Sequence, residues 1–141
     1  MQAIYIDLHI HTSDDANHLN ESYDIAELVS QIKKYNGDAP FMISLTDHNI
    51  INKSAYLKAR NLNLNLILGV ELHIKNREDT KSYHCHIYFN SPIEEKAIDQ
   101  INEILNNLYP NKLPNRSDEN TPDIQDIINN FDAFDFLLLP H

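Results

Sequence analysis

The sequence predicts an α/β domain with a largely parallel sheet, either doubly wound or barrel-like. Apolar runs typical of strands alternate along the chain with segments whose apolar residues recur at helical spacing, and this alternation is typical of βαβ units. The length of 141 residues suits one domain with a core of its own. With 42% hydrophobic and 23% charged residues, the composition is that of a globular protein and argues against a disordered chain.

Five segments are predicted to be strands. In residues 3–8, Ile4, Ile6 and Leu8 fall on one face, while Asp7 and His9 fall on the other. The other four are short apolar runs bounded by polar residues, at 41–45, 64–70, 83–89 and 134–139. A polar turn at 76–81 separates the third run from the fourth.

Four segments are predicted to be helices, namely 24–35, 53–61, 92–108 and 121–130. Ser22 is the expected cap of the first helix, and Gly37 ends it. The third has the strongest signals, because Ser91 can cap it and Pro92 suits the first helical position. The polar stretch 110–120, with two prolines, is predicted to be an exposed loop.

Charge and composition narrow the classes of function. There are 11 basic and 21 acidic residues, and the net charge of −10 disfavours sequence-blind binding along a nucleic-acid backbone. The single cysteine cannot form an internal disulfide. No run approaches the roughly 18 apolar residues of a membrane helix, and the first strand begins at Ala3, where a signal peptide would lie. We therefore expect a cytoplasmic protein with no membrane partner.

Side chains that bind metals recur at or near the carboxyl ends of the predicted strands. Along the chain they are His9, His11, Asp14, Asp15, Asp47, His48, Glu71, His84, His86 and His141. In parallel α/β folds, active sites form at that edge of the sheet. Imidazoles and carboxylates without thiolates suit zinc, manganese or iron held for hydrolysis, and a carboxylate such as Glu71 can bridge two ions.

Taken singly, these residues also have plain structural interpretations. Two histidines at a strand end can simply face solvent, Asp47 can belong to a turn, and one of His84 and His86 can lie exposed on an edge strand. His18 and His73 fall outside the pattern and are predicted to lie on the surface. Cys85 points to the opposite face from its neighbours and is interpreted as a small buried hydrophobic residue.

The motifs resemble those of the PHP (polymerase and histidinol phosphatase) superfamily of metal-dependent phosphoesterases. They are Asp7-Leu8-His9-Ile10-His11-Thr12, Leu45-Thr46-Asp47-His48, Gly69-Val70-Glu71, His86-Ile87-Tyr88-Phe89 and the apolar strand that ends in His141. They follow the family's order and span the whole chain, so residues 1–141 are expected to form one PHP-like hydrolase domain. The resemblance implies a distorted TIM-like (β/α) barrel of the PHP type. The family's late Asp-x-His motif does not occur here, so we expect this chain to be the N-terminal part of a longer protein.

The resemblance also implies a role for each matching residue. His9 and His11 look like ligands of a first ion, which Glu71 bridges to a second. His86 and His141 look like the remaining ligands of that second ion. The family's cofactors imply two or three divalent ions, with zinc, manganese and iron as the candidates.

Further residues are implied to lie around these ligands. His48 looks like a ligand of a third ion or a group that faces phosphate, helped by an acidic residue or a histidine that follows the first motif. The candidates for that helper are Asp14, Asp15 and His18. The residues implied to act in catalysis are Glu71, His48 and Asp47. Asp7 and Asp47 are expected to orient neighbouring imidazoles.

The expected function is hydrolysis of a phosphomonoester or a nucleic-acid phosphodiester by metal-bound hydroxide. The expected partners are a phosphorylated small molecule or a nucleic acid as substrate, and a fused ATPase or other domain after His141. Basic residues that could hold a free phosphate are Lys53, Arg60, Lys75, Arg77 and Arg116. One alternative is a non-catalytic, metal-stabilised PHP module attached to a polymerase or an ATPase. Another is an amidohydrolase-type barrel, which would need a metal-bridging lysine such as Lys75.

Overall fold

The computed structural model describes residues 4–78, 81–112 and 121–141, and within them the chain has a mixed α/β fold. The strands are β1 (Tyr5–Ile10), β2 (Phe41–Leu45), β3 (Asn65–Leu66), β4 (Leu68–Lys75), β5 (Ser82–Phe89) and β6 (Phe136–Pro140). The helices are α1 (Ile25–Asn36), α2 (Lys53–Asn61), α3 (Glu95–Leu108) and α4 (Ile124–Asn130). The α/β class is therefore confirmed. Residues 113–120 of the predicted loop, among them Arg116, lie outside the described residues.

The strands form two three-stranded sheets. The first is parallel, in the order β1-β2-β3, and the second is antiparallel, in the order β4-β5-β6. A parallel bridge between His48 and Glu71 connects the end of β2 to β4. The described residues form no closed barrel, so the TIM-like barrel stays a prediction.

The expectation of a largely parallel sheet is wrong for the second sheet. A parallel neighbour needs a crossover connection of about a dozen residues or more. The turn between β4 and β5 is shorter, and the N–H of Asn76 closes it by donating to the carbonyl of Lys81 at 2.9 Å. β5 therefore returns antiparallel to β4, and Glu71 pairs with His86 while His73 pairs with His84.

The predicted third strand, 64–70, is two strands in the structure. Ile67 separates β3 from β4, and its N–H donates to the carbonyl of Ile43 in β2 at 3.0 Å. β4 continues past Val70 to Lys75, so Glu71 lies inside a strand rather than at its end. This longer strand also carries His73, on the same side of β4 as Glu71.

Three helix starts differ from the predicted ones, and one of them is α4, which begins at Ile124 after the cap Asp123 rather than at residue 121. Asp24, not Ser22, caps α1, because its side chain accepts a hydrogen bond from the N–H of Glu27 at 2.9 Å. α3 begins at Glu95 rather than Pro92, because the N–H of Glu94 donates to the carbonyl of Pro92 in a turn that precedes the helix. α2 has the predicted bounds.

A fully buried tyrosine ties the sheets together beneath the strand ends. The hydroxyl oxygen of Tyr56, on α2, lies 3.0 Å from the carbonyl oxygen of Leu45 and 2.9 Å from that of Ile67, so its one proton is shared between these two acceptors. The N–H groups of Leu45 and Gly69 donate to the same oxygen at 2.9 and 3.0 Å. Apolar side chains of the strands and of all four helices form one core around it. Buried polar groups of two strands are thus satisfied by one side chain.

Gly69 allows the close packing at this point. A Cβ atom there would lie 2.9 Å from atoms of both Thr46 and Tyr88, closer than real side chains approach. The sheet of β4 can therefore approach β2 only because position 69 has no side chain.

No helix among the described residues is both long enough and apolar enough to cross a membrane.

Candidate metal centre

Histidines from four segments converge around the side chain of Glu71. β1 supplies His9 and leads into His11, β2 leads into His48, β5 supplies His84 and His86, and His141 follows β6. The reversed direction of β5 explains why its histidines lie early in the strand, since its first half runs beside the second half of β4. The hydroxyl of Tyr88 donates to the carbonyl of Leu8 at 2.9 Å and so ties β5 to β1 beside the site.

One oxygen of Glu71 faces the histidines of the first motif. Oε2 lies 3.1 Å from Nε2 of His9 and 3.0 Å from Nε2 of His11, and the two Nε2 atoms are 3.0 Å apart. The rings of His9 and His11 are exposed, whereas Glu71 is buried. Three ligand atoms at this spacing, open to solvent on one side, are an arrangement that can hold a metal ion.

The other oxygen of Glu71 faces a different group. Oε1 lies 2.5 Å from Nδ1 of His84, and Glu71, His84 and His141 offer ligand atoms within 4.8 Å of one another. The N–H of His141 donates to the carbonyl of His84 at 3.1 Å, which fixes the chain after β6 beside β5. Glu71 thus contributes to two clusters of ligand atoms, one on each oxygen.

Two buried imidazole nitrogens beside Glu71 have no hydrogen-bond partner. They are Nε2 of His86 and Nδ1 of His48, and the second lies 3.6 Å from Oε2 of Glu71. The ring of His86 lies 4.4 Å from that of His9 and 5.1 Å from that of His141. Buried polar atoms rarely lack a partner, and a bound cation would satisfy both of these. The donor set therefore fits a metal ion.

Electrostatics favour the protonation states that bind metals. Burial lowers the pKa of His86 to about 4, and the neighbouring His9 contributes to that shift. Burial also lowers the pKa of His48, and lowers that of His73 to about 4. Burial opposes ionisation of Glu71, but the surrounding imidazoles, His48 foremost, outweigh it and keep the pKa of Glu71 below its usual value. Neutral imidazoles and an ionised carboxylate are the forms that coordinate divalent ions.

Asp47 holds the loop after β1 rather than an imidazole. Its buried carboxylate accepts hydrogen bonds from the N–H of Thr12 at 2.7 Å, the hydroxyl of Thr12 at 2.6 Å and the N–H of Ser13 at 2.9 Å. Burial raises the pKa of Asp47 despite these bonds. The main chain also ties Asp47 to β4, because the N–H of Glu71 donates to its carbonyl at 3.1 Å.

Asp7 likewise contacts the main chain rather than an imidazole. Its carboxylate accepts from the N–H of His9 at 3.1 Å and from the hydroxyl of Tyr5 at 3.3 Å. It therefore positions His9 through the backbone of β1. The contacts of Asp7 and Asp47 in the described residues are to backbone N–H groups and hydroxyls, and their expected role in orienting neighbouring imidazoles stays a prediction.

The three candidates after the first motif lie apart from the groups of ligand atoms. Asp15 accepts hydrogen bonds from Nδ1 of His18 at 3.0 Å and from the N–H of Asn17 at 2.7 Å. That contact with His18 lowers the pKa of Asp15. Asp14 is exposed, and none of the three shares a cluster of three or more ligand atoms in the described chain. Their role as ligands stays a prediction.

Sequence reasoning missed two residues of the site. His73 is half-buried rather than on the surface, because β4 extends past Glu71 and its ring packs between His48 and His84 at 5.0 and 4.3 Å. Asn49 is buried, and its side-chain amide contacts both the backbone N–H and the ring Nδ1 of His73. The signal for His73 was its position two residues after Glu71, which places both on one face of a strand.

Several of the predicted phosphate-binding cations are engaged elsewhere. Lys53 pairs with Asp99 at 2.8 Å and Glu95 at 3.3 Å, and Arg77 pairs with Asp123. Arg60 donates to the carbonyl of Ile93 at 3.0 Å. The partners recorded for these three side chains do not include Glu71 or the histidines around it.

This chain is similar to part of the length of two solved structures. No family model matches the chain, and no curated protein matches it. Among solved structures, an amidohydrolase from Chromobacterium violaceum is 20% identical over 76% of this chain and 33% of its own, with a TM-score of 0.47. A candidate metal-dependent phosphoesterase from Bifidobacterium adolescentis is 22% identical over 77% of this chain and 34% of its own, with a TM-score of 0.42. The chain thus spans about a third of each.

Proposed function

We propose that this chain is a metal-dependent hydrolase of phosphoric esters, of the PHP type. The observation that carries the proposal is the placement of Glu71, whose Oε2 lies 3.0–3.1 Å from Nε2 of His11 and His9 and whose Oε1 faces His84 and the group that includes His141. A carboxylate with a separate set of imidazoles on each oxygen is suited to bridge two cations.

Two ions would share Glu71. His9 and His11 would hold the first, and His86 and His141 would hold the second. The unpartnered Nε2 of His86 supports its place in this set, because a buried nitrogen with no hydrogen-bond partner is costly unless a ligand satisfies it. Imidazole and carboxylate donors suit zinc, manganese or iron.

Divalent ions in such a site lower the pKa of water and offset the charge of a phosphoryl group. The chain's own residues supply the positions. The carboxylate of Asp47 holds Thr12 and Ser13, which directly follow His11. The backbone carbonyl of Asp47 accepts from the N–H of Glu71 and so positions Glu71 relative to the end of β2. The unpartnered Nδ1 of His48 lies beside these groups and would face either a third ion or the phosphate.

The substrate would be a phosphomonoester in preference to a nucleic-acid phosphodiester. The net charge of −10 opposes binding along a nucleic-acid backbone. Lys53 and Arg77 are already paired with carboxylates, so the ions themselves would supply much of the positive charge for a phosphate.

Hydrolysis assays with three model substrates test the proposal. The protein, loaded with Zn²⁺ or Mn²⁺, is assayed with p-nitrophenyl phosphate, bis(p-nitrophenyl) phosphate and an N-acyl amino acid. We expect chelator-sensitive release of p-nitrophenol, and a loss of more than about 100-fold in Glu71→Gln, because removing a ligand costs more than removing the partner of a ligand. The control is Glu103→Gln on the exposed face of α3.

Each other outcome has a definite meaning. Cleavage of the N-acyl amino acid alone would replace the phosphoesterase with an amide hydrolase. Bound metal without turnover on any substrate would indicate the non-catalytic module. Turnover that survives both chelation and Glu71→Gln would contradict the site.

A further inference from the structure

The imidazoles of His73 and His84 form a chain beside Glu71 that the two-ion site does not use. Nε2 of His73 lies 2.9 Å from Nε2 of His84, and Nδ1 of His84 lies 2.5 Å from Oε1 of Glu71. His48 adjoins the pair, since ligand atoms of the three imidazoles lie within 4.8 Å of one another. These rings would either hold a further ion or pass hydrogen bonds to Glu71.

The side-chain amide of Asn49 distinguishes the two arrangements, because its orientation is fixed on both sides. The backbone N–H of His73 donates to Oδ1 of Asn49 at 2.9 Å, and Nδ2 donates to the carbonyl of Lys112 at 2.9 Å. If Oδ1 and Nδ2 of Asn49 were exchanged, an amide donor would face the N–H of His73, and an amide acceptor would face the carbonyl of Lys112. The amide nitrogen is therefore the atom that lies 3.2 Å from Nδ1 of His73.

This donor fixes where the protons lie on both rings. Nδ1 of His73 accepts from Asn49, so the single proton of the neutral ring sits on Nε2 and points to Nε2 of His84. That nitrogen accepts in turn, which places the proton of His84 on Nδ1, the nitrogen nearest to Oε1 of Glu71. Each link of the chain then has one donor and one acceptor.

An ion held by Nε2 of His73 would need the opposite arrangement. A histidine that binds metal keeps its proton on the other ring nitrogen and donates it to an acceptor. In this site the other nitrogen of His73 faces the amide donor of Asn49. His73 and His84 are therefore a hydrogen-bonded pair rather than two ligands of an ion.

The backbone of Asn49 also supports its role as a positioning residue. Asn49 is 1% exposed and adopts a φ of 57°, a left-handed conformation that asparagine adopts more readily than most residues with a side chain. Its N–H donates to the carbonyl of Glu71 at 2.9 Å. One residue thus fixes both the main chain of Glu71 and the ring of His73.

We infer that Asn49 and His73 are positioning residues that hold a proton on Nδ1 of His84 against Oε1 of Glu71 and so fix the orientation of the carboxylate that the two ions would share. The inference rests on the proposed function only for the role it gives Glu71. The tautomers of His73 and His84 can be measured without ion or substrate.

The direct test is long-range ¹⁵N–¹H NMR on protein labelled with ¹⁵N-histidine, with His73→Asn used to assign its signals. We expect His73 to carry its proton on Nε2 and His84 to carry its proton on Nδ1, and we expect His73 to keep that tautomer after addition of Zn²⁺. A proton on Nδ1 of His73, or conversion of its Nε2 to a zinc ligand, would overturn the inference.

A matched pair of variants tests whether the amide donor of Asn49 sets the tautomers of His73 and His84. Asn49→Asp replaces the amide donor with an acceptor, so we expect the proton of His73 to move to Nδ1, the proton of His84 to move to Nε2, and Zn²⁺ affinity to fall about tenfold. Asn63→Asp makes the same change at an exposed residue with a φ of 54° and should alter neither tautomer. Unchanged tautomers in folded Asn49→Asp would overturn the inference. If Asn49→Asp does not fold, the wild-type spectrum decides.

The two proposals fail separately. The stated tautomers in a protein that hydrolyses none of the model substrates would support this inference and contradict the proposed function alone. Reversed tautomers in an active, Glu71-dependent enzyme would contradict this inference alone.

Discussion

The carboxylate of Asp47 accepts hydrogen bonds from both the backbone N–H and the hydroxyl of Thr12, at 2.7 and 2.6 Å. This contact joins the ends of β1 and β2 directly beneath the histidines that surround Glu71. Thr12 also accepts a hydrogen bond from the side chain of Asn52 at 2.7 Å, so the contact continues to the start of α2. The relative position of His11 and His48 depends on it.

Asp47→Ala should destabilise the fold and loosen the site. The change leaves the buried N–H groups of Thr12 and Ser13 without an acceptor, and we expect a loss of about 3 kcal/mol in the free energy of unfolding. Urea denaturation measures it. Asp38→Ala, at an exposed carboxylate, is the control. A loss no larger than that of the control would show that the loop after β1 is held by other contacts.

Tyr56→Phe should be costly although it removes a single oxygen. Its hydroxyl contacts the hydroxyl of Ser44, the N–H and carbonyl of Leu45, the carbonyl of Ile67 and the N–H of Gly69. Because Tyr56 is fully buried, water cannot replace the lost hydroxyl as a partner for these groups. We expect a loss of about 1–3 kcal/mol in the free energy of unfolding. Tyr35→Phe, at a ring that is 87% exposed, should leave stability unchanged. Equal stability of the two variants would contradict this role for Tyr56.

The pair of Arg77 and Asp123 should make stability depend on acid pH. The hydrogen bond from Arg77 holds the pKa of Asp123 below its usual value of 3.8. Because the folded pKa lies below the unfolded one, the pair stabilises the fold above about pH 4, and this stabilisation is lost as the pH falls through the folded pKa. Asp123 also caps α4, so the effect is transmitted to that helix.

Thermal unfolding from pH 7 to pH 2 measures this dependence in Arg77→Gln. We expect a lower Tm than that of the wild type at neutral pH and a difference that shrinks in acid. Arg60→Gln removes an arginine that donates to a carbonyl rather than a carboxylate, so its difference should stay constant. A difference for Arg77→Gln that grows toward low pH would have the wrong sign.

The sequence predicts best those helices and strands whose signals lie within their own residues. The bounds of α2 and β2 and the end of α3 match the predicted ones, because helix periodicity and short apolar runs are local signals. The direction of β5 was not predicted, although the short connection after Asn76 was visible. Alternation of strands and helices had suggested parallel neighbours throughout.

The candidate site was predicted in part for a related reason. His9, His11, Glu71, His86 and His141 stand out because metal-ligand types recur near strand ends. Asn49 is not visible as a site residue, because its role depends on a left-handed backbone and on contacts with His73 and Lys112 that are distant in sequence. His73 was missed because the strand was expected to end at Val70, three residues before His73, so the face that His73 shares with Glu71 was not recognised.

Counting bound ions tests the shared role of Glu71 most directly. The protein is loaded with Zn²⁺, freed of excess ion by gel filtration, and analysed for zinc per chain by mass spectrometry, alongside Glu71→Gln and Glu103→Gln. Because the two proposed ions share this one carboxylate, we expect about two ions per chain in the wild type and in Glu103→Gln, and fewer than about one in Glu71→Gln. An unchanged count in Glu71→Gln would contradict a centre built on this carboxylate.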